Sequence, residues 1–86
     1  MNGSRDVFSL LRLRVVADAD PGAVARVLER FQNLNVLPRR VAAEFGVNDV
    51  VHIEVDVCGI PEAQMELIAS KVRQSVSVSN AFWHPL

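Results

Sequence analysis

The stretch LRLRVVADADPGAVARVL, ending at Leu28, constrains this chain most tightly. It alternates as a strand, breaks at Asp18-Ala19-Asp20, and turns at Pro21-Gly22 into a helical pattern. Asp20 suits the N-cap, because its carboxylate can accept from the free amides of a first helical turn. Pro21 suits the first helical position, where a missing N–H costs nothing. Gly22 carries no side chain, so a small ligand could reach the main chain there. A helix start also offers uncommitted amides and a partial positive charge, a natural seat for a carboxylate.

The same two periodicities recur along the chain. Leu11, Leu13, Val15 and Ala17 share one face of the first strand, with Arg12 and Arg14 on the other. Val24, Val27, Leu28 and Phe31 fall at helical spacing across residues 21–33, and Asn35 suits a left-handed helix end. A second strand is expected over residues 36–45. Pro38 near its start places it at a sheet edge, since proline cannot donate to a central ladder. Gly46-Val47-Asn48-Asp49 is turn chemistry. Residues 50–57 alternate cleanly, Val51, Ile53, Val55 and Val57 inward against His52, Glu54 and Asp56 in water. Pro61 opens a second helix with an inner stripe of Met65, Ile68, Ala69 and Val72. A last strand covers residues 76–83. The order β-α-β-β-α-β predicts an α+β, ferredoxin-like sandwich: a four-stranded antiparallel sheet with two helices on one face. Residues 1–6 read as a polar leader and residues 7–86 as one domain.

Composition narrows the function. Half of the 86 residues are hydrophobic, generous for so short a chain, and the surplus points to a homo-oligomer. A net charge of −1 provides no field for nucleic acid or an anionic membrane. No run approaches the roughly 18 apolar residues of a membrane span, and the N-terminus makes a poor signal peptide, so the expected setting is cytoplasmic. Cys58 is the single cysteine, and His52 has no second His or Cys at ligand spacing, so no metal or other cofactor is expected. No nucleophile–base pair or phosphate loop is evident, which argues against an enzyme.

Many functions share this strand order, so residues must decide. A metal-carrying domain of this topology would need a cysteine pair in the first loop, which has none. An RNA-recognition domain would need stacking aromatics where His52, Glu54 and Asp56 stand. By contrast, Asp18-Ala19-Asp20-Pro21-Gly22-Ala23-Val24, followed by Arg26-Val27-Leu28 and Phe31, resembles the first loop and helix of ACT domains. The tract from Phe31 to Pro38 is similar to stand-alone ACT proteins related to the acetolactate synthase small subunit. Asn35 stands where that group commonly has glycine. The resemblance implies a regulatory module, paired side by side through an edge strand, that holds an amino acid at the seam and tunes an amino-acid biosynthetic enzyme. Carried over by position, Asp18, Asp20, Pro21, Gly22 and Ala23 would contact the effector, with Asn35, Val36 and Leu37 reaching it from the partner copy. The alternative is a ligand-free accessory subunit of the same fold.

Several features also have plainer readings. Asp20-Pro21-Gly22 is a helix cap whether or not it is a ligand loop. Arg12 and Arg14 suit an anion or, more economically, pairing with Glu54 or Asp56. Arg39-Arg40 fits the charge that guards an edge strand. Phe82-Trp83-His84-Pro85 suits core or interface packing.

Overall fold

A computed structural model describes residues 9–86, so the expected leader and the strand start at Phe8 lie outside the described residues. Strand β1 (Leu10–Asp18) leads into helix α1 (Ala23–Gln32). Strand β2 (Arg40–Phe45) follows, then a short 3-10 turn (Val47–Asp49) and strand β3 (Val50–Cys58). Helix α2 (Glu62–Arg73) and strand β4 (Val78–Pro85) complete the β-α-β-β-α-β order. The sheet runs β2-β3-β1-β4 and every pairing is antiparallel. This is the ferredoxin-like arrangement that the periodicity predicts.

The core lies between the helices and one sheet face. Leu11, Leu13, Val15 and Ala17 of β1 and Val51, Ile53, Val55 and Val57 of β3 are all buried. They meet Val27 and Phe31 from α1 and Met65, Ile68, Ala69 and Val72 from α2. Helix α1 ends as expected. Asn35 adopts φ 57°, and the Val36 amide donates to Phe31 O at 2.9 Å while the Asn35 amide donates to Gln32 O at 2.9 Å. Those two bonds form a Schellman ending, and half-buried Val36 packs back onto the core beside it.

The boundaries shift where backbone bonding overrides pattern. The N-cap of α1 is Gly22, not Asp20, and no side chain caps it; Asp20 instead bonds the Gly22 amide, so Pro21 and Gly22 form a turn ahead of the helix and not its first residues. Pro61 is the N-cap of α2, with extended ψ 152° and a carbonyl that accepts from Gln64 and Met65. Strand β2 begins at Arg40, after Pro38, although the Arg39 amide already reaches Asp56 O at 2.7 Å. Strand β4 starts at Val78 and runs to Pro85, leaving Val76 fully exposed in the preceding turn.

Candidate functional site

The loop between β1 and α1 is built around Asp20. One carboxylate oxygen accepts from the Gly22 amide at 2.7 Å and the other from Arg26 Nη2 at 2.6 Å. Arg26, first, and the Gly22 amide, second, hold the Asp20 carboxyl below its ordinary range. The Ala23 amide donates to Asp20 O at 3.1 Å. The amides of Gly22 and Ala23 are therefore committed within the chain, whereas the sequence pattern suggested open donors. The face over Gly22 is not bare either: a Cβ placed there would stand 2.7 Å from Arg26 Nη1. The obstruction is the tip of a flexible side chain, so it can move.

The structure puts the other expected contacts in three different settings. Asp18 ends β1, exposed, with its amide bound to Ser77 O at 2.9 Å. Ala23 is buried in the core. Asn35, Val36 and Leu37 sit beyond the far end of α1, about 15 Å from the first group at 1.5 Å rise per residue over its 10 residues. Within one chain the two groups do not converge. Leu37 is 87% exposed, and with Leu28, Val36, Pro38 and Val41 it lines an open groove beside β2.

None of the expected contact residues lies on β2 itself, whose helix-side face is apolar. Val41, Ala43 and Phe45 stand opposite Val55, Ile53 and Val51, so they share the helix-side face of the sheet. Their β3 partners are fully buried, yet Val41 is 41% and Phe45 58% exposed, and Ala43 is exposed too. The helices cover β1, β3 and β4 and leave β2 open. The alternation of Val41, Ala43 and Phe45 with Arg40, Ala42 and Glu44 was the available signal.

The opposite face of the sheet carries a charge ladder. Arg12 donates to both oxygens of Asp56, at 2.7 and 2.9 Å. Arg14 and Arg40 hold Glu54 at 2.6 and 3.1 Å. Asp56 is buried, not wet as its alternation with Val55 and Val57 suggests, because Arg12 lies across it. That guanidinium keeps the Asp56 carboxyl below the usual carboxylate range despite burial, and Arg40 does the same to Glu54. The arginines thus pair internally. His52 is exposed in this face, and Cys58 is half-buried with Arg39 Nη1 donating to its Sγ at 3.1 Å. The aromatic tail belongs to β4: Phe82 stacks near His84 on the open face, while Trp83 Nε1 donates to Glu66 at 2.8 Å. Among the described residues no cluster of three or more His, Cys, Asp or Glu could hold a metal ion. No described helix is long and apolar enough to cross a membrane.

Comparisons with solved structures agree on the fold. The C-terminal domain of the MgtC protein from Mycobacterium tuberculosis is similar with a TM-score of 0.74 at 15% identity, covering 94% of this chain and 90% of that one. The ACT domain of GTP pyrophosphokinase from Chlorobium tepidum gives 0.73 at 11% identity, over 87% of this chain and 96% of that one. A homoserine dehydrogenase from Thiobacillus denitrificans gives 0.75 at 14% identity; the match covers 94% of this chain but 18% of the dehydrogenase. A comparison with curated proteins finds no match. The family profile described as an ACT-like domain matches residues 4–86, nearly the entire sequence, and on that match and this fold the chain belongs to the ACT-like domain family.

Proposed function

We propose that this chain is a regulatory module, not a catalyst, that pairs with a second copy along β2 and holds an amino-acid effector at the seam. The bound effector would modulate an amino-acid biosynthetic enzyme. The observation that carries this reading is the uncovered apolar face of β2. An outer edge with free backbone groups, flanked by exposed Leu37, Val41, Phe45 and Val47, is a surface that proteins ordinarily cover. A second β2 strand would extend the sheet and bury it. Such pairing offers a way to bring the Asp18–Ala23 loop of one copy towards Asn35, Val36 and Leu37 of the other, which a single chain keeps apart. The similar fold within a homoserine dehydrogenase supports service alongside a larger enzyme.

Thermal-shift screening of the twenty amino acids tests the proposal. A ligand that binds only the folded state should raise the melting temperature by about 5–10 °C at tenfold excess over its Kd. Gly22→Val should abolish that shift and leave the dimer intact, since its Cβ displaces only the tip of Arg26. A dimer that ignores all twenty amino acids overturns the effector reading. One observation favours the second reading, a ligand-free accessory subunit: Asp20 already occupies the Gly22 amide. That version predicts a dimer that copurifies with a larger enzyme whether or not amino acids are present.

A further inference from the structure

A second hollow lies inside one chain, away from β2. It opens between α1, the end of α2 and the turn that leads into β4, with a volume of about 50 Å³. Its floor is apolar and closed: Ala17, Ala23, Val27 and Val72 are each at most 3% exposed. Ala17 and Ala23 are short side chains, and they leave space on this side of the core beside Val27 and Val72.

The rim has a different chemistry. Arg26 and Arg30 reach it from successive turns of α1, and Ser75 and Ser77 face them from the turn before β4. Arg30 has no hydrogen-bond or ion-pair partner among the described residues, and neither do the hydroxyls of Ser75 and Ser77. The serine backbones are pinned, by Ser75 N donating to Val72 O at 3.0 Å and Asp18 N donating to Ser77 O at 2.9 Å. The two backbones are therefore fixed, while the hydroxyls keep their bonding capacity unspent among the described residues. Glu29 is the one carboxylate on the rim, and Asp20 holds one edge of Arg26.

We propose that this hollow binds a short aliphatic monocarboxylate, its carboxylate on Arg30 and the serine hydroxyls and its alkyl end on the alanine–valine floor. A guanidinium presents a planar pair of donors that matches a carboxylate. The hollow is small, about 50 Å³, so the alkyl end it takes is short. Glu29 discriminates against a second negative charge. The site is complete in one chain and does not depend on the seam.

Titration of ¹⁵N-labelled protein with sodium propionate tests this, with sodium chloride and 1-propanol as controls. Saturable shifts should appear at the amides of Ala23, Arg30, Ser75 and Ser77, with a dissociation constant in about the millimolar range expected for so small a ligand. Arg30→Gln, on a partly exposed helix position, should weaken binding about tenfold or more. Phe45→Asp, which removes the proposed seam, should leave propionate binding unchanged. Shifts no larger than those from chloride, equal shifts from 1-propanol, unchanged binding by Arg30→Gln, or shifts confined to β2 would each overturn the proposal.

Discussion

Asp56 shows how one residue can reverse its expected environment. Alternation places it on the wet face, but two bonds from Arg12 let it be buried with both oxygens satisfied. Replacing it with asparagine removes the charge and one of the two acceptors, and should cost about 2 kcal/mol in urea unfolding at neutral pH. The pH dependence has a definite sign. Arg12, foremost, lowers the folded-state pKa of Asp56 below its ordinary carboxylate value, so the unfolded chain binds the proton more readily. Its contribution is complete above the unfolded value and drains away as pH falls through the lower folded one. The urea midpoint should hold steady above about pH 5 and decline below about pH 4, with Asp56→Asn flattening that decline. Arg12 and Arg14 were legible as partners of Glu54 and Asp56 because opposite charges on neighbouring strands attract. Burial of Asp56 was not legible, since it depends on which cross-strand neighbour reaches over it.

At the scale of elements, caps carry most of the local information. Asn35 takes φ 57°, a conformation that glycine accepts freely and β-branched residues resist. Asn35→Val should therefore cost about 1–2 kcal/mol in thermal or urea unfolding, while Asn35→Gly should be neutral or slightly stabilising. Phe31, which closes the same helix end from inside, is fully buried. Truncation to alanine should cost about 3–5 kcal/mol, measurable by the same means. The periodic stripes of both helices and the alternation in β1 and β3 were readable as they stand, because one face of each element goes to the core. Boundaries were not. Pro21 and Pro61 both precede their helices, since the carbonyls of Gly22 and Pro61 accept the first bonds of each helix.

For the whole molecule, the uneven helical cover matters most. The two helices do not roof all four strands, and the strand left open is β2, whose Val41, Ala43 and Phe45 face the helix side without shelter. Phe45→Asp should convert the proposed dimer to a monomer in size-exclusion chromatography with light scattering. Because Phe45 is half exposed, the fold should survive, with little change in far-UV circular dichroism. If the variant stays a dimer, the seam is elsewhere.

The order of elements, the core-facing stripes, the edge position of the second strand and the left-handed turn at Asn35 follow from sequence alone. Each depends on local spacing or on the stereochemistry of one residue. Tertiary structure decided what spacing cannot express. Arg12 covers Asp56, Asp20 and Arg26 close over the corner at Gly22, the two groups of expected contacts lie at opposite ends of α1, and β2 is left unroofed. These outcomes depend on which side chains from distant parts of the chain arrive at the same place, and on how far two helices extend across a sheet of four strands.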